Sequence, residues 1–159
     1  MISLETGLYA LAQLFLLPVL VLIVVALAYA FAALGGFAIE ALQRARRTYR
    51  SPLLARARDP AATSDDLELL IMRRLEWLRI VARSAPMLGL VATMIPMGPA
   101  LLALSNNDAK ALGGNLVVAF AAVILSLVAA ALAFLILTIR RRWLLEDLRE
   151  VERTRGLAS

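Results

Sequence analysis

Three long apolar segments, separated by polar stretches, dominate the pattern along the chain. Residues 8–37 carry no charge, and two further apolar segments cover residues 85–104 and about 116–139. A helix needs roughly 20 apolar residues to cross the hydrocarbon core of a bilayer, so each segment is long enough. We predict an all-α integral membrane protein, one domain over residues 1–159, with transmembrane helices at 11–37, 85–104 and 116–139.

A second pattern precedes the middle span. Asp59-Pro60 indicates a linker, and Asp65 is a candidate N-cap for the helix that follows it. Apolar residues then recur at helical spacing as far as the span: Leu67, Leu70, Ile71, Leu75, Leu78 and Ala82. We expect this stripe to pack on neighbouring helices below the membrane, and the alternative is that it lies flat on the membrane surface. Because nothing breaks the pattern before Ser84, this helix is predicted to continue into the second span.

The basic residues predict the orientation. Ten arginines lie between the first two spans, in a loop of residues 40–84, and six lie in the tail, residues 140–159, whereas the opposite side carries Lys110 alone. Since basic loops stay in the cytoplasm, we predict a multi-pass protein of the cytoplasmic (inner) membrane, with the N-terminus outside and the C-terminus inside. The second and third helices would then extend into the cytoplasm, the third through Arg155. Glu5 stands at the start without a basic residue, so the first segment is predicted to be a retained span.

Composition narrows the chemistry. The chain is 62% hydrophobic, with a mean hydropathy of +0.80, and it has neither Cys nor His. We therefore expect no enzyme activity, no catalytic residue, no metal and no cofactor. The net charge of +5 would suit nucleic acid, but the basic residues flank the spans, so we expect membrane lipids as partners and no nucleic acid. Arg140, Arg141 and Arg142 are predicted to be cytoplasmic anchors for topology or lipid, and Glu40 either pairs with an arginine or is a solvated helix end.

Prolines and small residues indicate helix contacts within the membrane. The second span holds five residues assigned to packing and kinks: Pro86, Gly89, Pro96, Gly98 and Pro99. Each proline removes a backbone donor and frees a carbonyl, which favours an interface or a wet cavity over lipid. The third span is rich in alanine, which also favours close packing of helices.

The spans hold no Asp, Glu, Lys or Arg. A subunit with its own proton relay would normally carry one, so a titrating carboxylate would have to come from a partner. Thr93 on the second span and Ser126 on the third are the candidate polar groups of an ion path. The alternative is that each hydroxyl simply bonds the carbonyl one turn back.

Residues 85–93, APMLGLVAT, resemble the "A-P-x-L-G-L-x-G-T" opening of the second membrane helix in the MotA/TolQ/ExbB proton-channel family. A short polar turn is predicted over residues 105–114, on the external side. The basic loop, the helix entering the second span, this external turn and the small-residue third span resemble the same family in order. Residues 95–101 and 139–143 are similar to a compact branch of it.

This resemblance implies a homopentamer around a single-span partner of the ExbD/TolR/MotB type, whose membrane-embedded Asp carries the ion. Such a complex is a rotary-type stator, a molecular motor that converts ion flow into mechanical work. By position, Thr93 corresponds to the family's threonine that faces the ion path.

The third helix departs from the family pattern. Val123 stands where relatives have a threonine, Ser126 where they have a glycine, Leu132 where they have a proline and Val118 where some have an acidic residue. A non-conducting structural scaffold of the same architecture is therefore the alternative function. A small holin-like lesion former is disfavoured by the long cytoplasmic loop and by the second-span motif.

Overall fold

The computed structural model describes residues 2–46 and 64–156, with side chains over 7–46 and 67–154. These residues form three helices: α1, Ile2–Ala45; α2, Ser64–Ser105; and α3, Ala109–Gly156. All three are long and apolar enough to cross a membrane. The prediction of an all-α, multi-pass membrane protein is thus confirmed.

The helices are longer than the spans inside them. At 1.5 Å per residue, the 42 residues of α2 and the 48 of α3 extend about 63 and 72 Å, roughly twice the hydrocarbon thickness of a bilayer. The second span therefore continues the helix that begins at Ser64, as predicted, although that helix starts one residue before the proposed cap at Asp65. The predicted linker at Asp59-Pro60 lies outside the described residues.

The apolar stripe of α2 is buried against α3. Four of its members are almost wholly inaccessible, and they pack with three apolar residues of the distal part of α3: Leu67, Ile71, Leu75, Leu78, Leu144, Leu148 and Val151. This confirms that the stripe packs on a neighbouring helix, so the alternative of a helix lying flat on the membrane is wrong. The paired extensions of α2 and α3 form a two-helix stalk at what we call the arginine-rich end of the bundle.

The opposite end, which we call the turn end, differs from the expectation. A polar turn was expected over residues 105–114, but only 106–108 are non-helical and α3 already begins at Ala109. Asn107 has a φ of 54°, and the N–H groups of Asn107 and Asp108 donate to the carbonyls of Leu104 and Ala103, a Schellman closure of α2. The Asp108 carboxylate then accepts a hydrogen bond from the Ala111 N–H, so the cap of α3 follows immediately.

Small residues bring the three helices together inside the apolar region. One buried cluster contains only alanines, two from α1, one from α2 and two from α3: Ala26, Ala30, Ala85, Ala129 and Ala130. Many large apolar side chains, Leu14, Met94 and Phe120 among them, point outward and are exposed. Small residues inside and large apolar residues outside are the reverse of the pattern in a water-soluble protein. The arrangement is stable in a bilayer, because lipid is as apolar as leucine and the close approach of the backbones holds the helices together.

Candidate functional site

Thr93 is one residue along α2 from a buried contact of all three helices. Its neighbour Ala92 is fully buried in a cluster with Ala122, whereas Thr93 itself is half-buried. The Thr93 hydroxyl donates to the Leu90 carbonyl at 2.7 Å. That bond uses the hydroxyl proton, but the oxygen keeps a lone pair that accepts from a water or a protonated carboxyl group.

Ser126 occupies a different environment. It is completely inaccessible, and its hydroxyl donates to the Val123 carbonyl at 2.9 Å. Gly89 of α2 lies directly opposite: a Cβ added to Gly89 would overlap Ser126 Oγ and lie 3.0 Å from Ser126 Cβ. The serine therefore fills space that only a glycine on the facing helix leaves open.

Both hydroxyls thus make the carbonyl bond one turn back, which was the alternative to an ion path. For Ser126 that bond and its enclosure leave no accessible surface within the chain. For Thr93 the bond coexists with partial exposure, so the residue can still face a partner.

The prolines and the second glycine lie at the contacts of α2. Pro96 is buried, whereas Pro86 and Pro99 are half-buried. A Cβ on Gly98 would lie 3.0 Å from Cε2 of Tyr9, so Gly98 lets the tyrosine ring of α1 approach α2 near the turn end. The helix accommodates all three prolines without a break.

A group of polar contacts ties α1 to α3 at the arginine-rich end. Arg140 Nε donates to Glu40 Oε2 at 2.8 Å, so Glu40 pairs with a tail arginine. Arg44 donates to both oxygens of Asp147, at 2.8 and 3.4 Å, and its guanidinium lies 4.8 Å from the centre of the Trp143 ring. These two ion pairs form what we call the α1–α3 clamp.

An aromatic stack completes the clamp. Phe37 and Trp143 lie with ring centroids 5.3 Å apart and planes 12° from parallel. The arginine partner of Glu40 is one of the two alternatives that the sequence predicts, whereas the contacts of Arg44 with Asp147 and Trp143 are not predicted from the sequence. One signal in the sequence could have indicated these contacts. Charged and aromatic residues follow directly after the first and the third span, and these two span ends lie at the same level of the bundle.

The three consecutive arginines that are predicted to be cytoplasmic anchors for topology or lipid point in different directions. Arg140 turns inward to Glu40, whereas Arg142 donates to Glu146 on its own helix at 2.9 Å and stays largely exposed. Arg141 lines an open groove between α2 and α3. Arg140 therefore makes a contact between helices, whereas Arg141 and Arg142 are cations that face outward.

Comparison with known proteins identifies the family of this chain. Comparisons with curated proteins and with solved structures gave no significant match. The family comparison matches residues 29–153, which include the last third of the first predicted span as well as the second-span motif, the third span and most of the stalk. Since this match covers most of the chain, the protein belongs to the MotA/TolQ/ExbB proton channel family.

Proposed function

We propose that this chain is the channel subunit of an ion-driven membrane motor. Five copies would form a ring around a single-span partner, and the ion, a proton, would pass between ring and partner. Membership of a proton channel family supports an ion-transport role. The observation that carries the proposal is a family-matched helix, α2, that presents a half-buried hydroxyl in a membrane region whose predicted spans contain no Asp, Glu, Lys or Arg.

The need for a partner follows from chemistry. A hydroxyl with a pKa far above neutrality does not exchange a proton with the medium, so Thr93 alone cannot carry one across the membrane. A carboxylate can, but the spans of this chain contain none. We propose that the partner's Asp supplies it and that Thr93 acts on that group.

The role of Thr93 is to hold the carboxyl group or a water beside it. Its proton goes to the Leu90 carbonyl, so the oxygen is left to accept a hydrogen bond from a protonated carboxyl or from water. Each acceptor along the path lowers the cost of a polar group in the membrane. Ser126 is a weaker candidate for direct contact with the ion, since it is enclosed against Gly89, and we propose that it acts through the position of α3 relative to α2.

The test is Thr93→Val in the chain co-purified with its single-span partner and reconstituted into vesicles. Valine keeps the shape but removes the oxygen, so we expect proton flux, followed with a pH-sensitive dye under an imposed gradient, to fall at least tenfold. A tenfold loss is about 1.4 kcal/mol, which lies within the roughly 1–3 kcal/mol that it costs to leave a buried donor, here the protonated carboxyl or the water, without its acceptor. The mass of the complex should stay unchanged.

Thr154→Val is the matched control, because Thr154 also bonds carbonyls of its own helix but lies on the exposed stalk. It should conduct like the native chain. Flux that is equal in Thr93→Val and in the native complex would remove Thr93 from the mechanism. A native complex that assembles normally but passes no ions would instead favour the scaffold function, which the loss of the third-helix threonine at Val123 also supports.

A further inference from the structure

An open groove of about 1070 Å³ lies between α2 and α3 where the apolar region meets the stalk. Five arginines line it: Arg79 and Arg83 from α2, and Arg141, Arg142 and Arg149 from α3. It lies apart from Thr93 and Ser126 and contains no residue of the proposed ion path.

The charge of this groove is poorly compensated. Its one acidic lining residue, Glu146, is already paired with Arg142. Within the part of the chain that the structure describes, Arg79, Arg83, Arg141 and Arg149 make no ion pair with a carboxylate. Four cations held on two packed helices repel one another, and an anion placed between them would relieve that repulsion.

The groove changes character along its length. Towards the apolar region it is lined by Phe134, Leu137 and Thr138, and Phe134 is 63% exposed. Thr138 is the penultimate residue of the third predicted span, so the arginines begin where the hydrocarbon core is expected to end. The groove thus has an apolar part next to a cationic part at the expected membrane boundary. This arrangement complements a phospholipid, whose acyl chains would lie in the apolar part and whose phosphate would lie in the cationic part.

We propose that this groove is a binding site for an anionic phospholipid. The phosphate lies among Arg79, Arg83, Arg141 and Arg149, and an acyl chain lies along Phe134 and Leu137. Guanidinium groups suit this ligand because they donate two parallel hydrogen bonds to phosphate oxygens. Arg140, the neighbour of Arg141, takes no part, since its guanidinium is bound to Glu40.

Two other occupants offer similar chemistry and are outcomes of the test. Inorganic phosphate shares the anion but not the chains, so it would not need the apolar slot. A carboxylate of a second copy of this chain would also complement the arginines, but it would make the groove an interface between subunits.

The experiment is native mass spectrometry of the full-length protein in a neutral detergent, with phosphatidylglycerol, phosphatidylcholine or inorganic phosphate added separately. The test variant is Arg83→Gln/Arg141→Gln. The matched control is Arg73→Gln/Arg153→Gln, which removes the same charge from two exposed positions outside the groove. The same spectra give the lipid retained per chain and the number of chains.

We expect the native protein and the control to retain phosphatidylglycerol in preference to phosphatidylcholine. In the groove variant, retention should fall on the order of tenfold with the number of chains unchanged, since each arginine near an anionic headgroup contributes several-fold. Equal retention by the groove variant and the control would overturn the proposal. So would binding of inorganic phosphate as tight as that of phosphatidylglycerol, or dissociation of the oligomer by the groove substitutions.

Discussion

At the scale of single residues, the contact between Gly89 and Ser126 sets how closely α2 and α3 approach. The serine oxygen occupies the volume that a side chain at position 89 would need, and Val123 Cγ2 would lie 3.4 Å from the same added Cβ. Rotation of the serine hydroxyl would not by itself make room, because the Ser126 Cβ would still lie 3.0 Å from the added atom. The pair therefore couples the second-span motif to the position of the third span.

Gly89→Ala is accordingly expected to destabilise the protein by about 1–3 kcal/mol through overpacking, measured as a lower midpoint of thermal unfolding in detergent. Adding Ser126→Ala should recover part of the loss, because it removes the overlapping oxygen. Gly113→Ala is the control, since Gly113 has open space around its Cα and lies on a helix, where alanine is favoured. No recovery in the double variant would show that the Ser126 contact does not set the helix separation.

At the scale of elements, α1 is joined to α3 by the α1–α3 clamp beyond the apolar region. The side chains of Glu40 and Arg140 are only 12% and 27% exposed, whereas Arg142 and Glu146, within a single turn of α3, are 80% and 55% exposed. Burial reduces screening by water, and the Glu40–Arg140 pair also joins two elements rather than one. Its contribution should therefore exceed that of its exposed neighbour.

Two adjacent substitutions test this difference. Arg140→Gln removes a charge partner from the half-buried Glu40 and should lower the free energy of unfolding by about 1–3 kcal/mol. Arg142→Gln makes the same chemical change at an exposed pair and should cost no more than about 0.5 kcal/mol. Chemical unfolding in mixed micelles measures both, and Glu40→Gln/Arg140→Gln should recover part of the loss. Equal effects of the two single substitutions would mean that the half-buried Glu40–Arg140 pair contributes no more to stability than the exposed Arg142–Glu146 pair.

At the scale of the whole molecule, the three helices form a bundle whose two ends differ in charge. Lys110 lies near the three-residue turn at one end, and the arginines among the described residues lie at the other. We propose, from the positive-inside rule, that the arginine-rich end lies in the cytoplasm. With α2 and α3 about twice as long as the bilayer is thick, nearly all the excess length belongs to that end.

The absence of cysteine from the sequence makes the orientation directly measurable. A single cysteine at Lys110→Cys should react with a membrane-impermeant thiol reagent added outside intact cells. A cysteine at Arg73→Cys, on the exposed side of the stalk, should react only after the membrane is opened. The native chain gives the background of the assay. The reverse labelling pattern would invert the proposed topology.

The parts of the fold that the sequence predicted are those with a local or periodic signal. Apolar length identified the spans, and the 3.6-residue spacing of Leu67, Ile71, Leu75 and Leu78 identified a helix that continues into the membrane. The turn was placed correctly but drawn too long. Its length depends on backbone geometry at Asn107 and on the cap at Asp108, which a polar composition does not specify.

For the candidate site, too, some features follow from the sequence and others only from the tertiary structure. The sequence by itself determined that the spans hold hydroxyls and no carboxylate, and that the basic residues gather at one end, because these are properties of composition and order. The tertiary structure alone decided that Ser126 is enclosed by Gly89 while Thr93 keeps partial access, since this depends on which face of each helix meets the other. It also decided that Arg44 pairs with Asp147, which lies 103 residues away in the sequence. The same packing turns Arg140 towards Glu40 and leaves its neighbour Arg141 in the groove. Consecutive residues of a helix point about 100° apart, and only the packing of α1 and α2 on α3 determines which of those directions faces a partner.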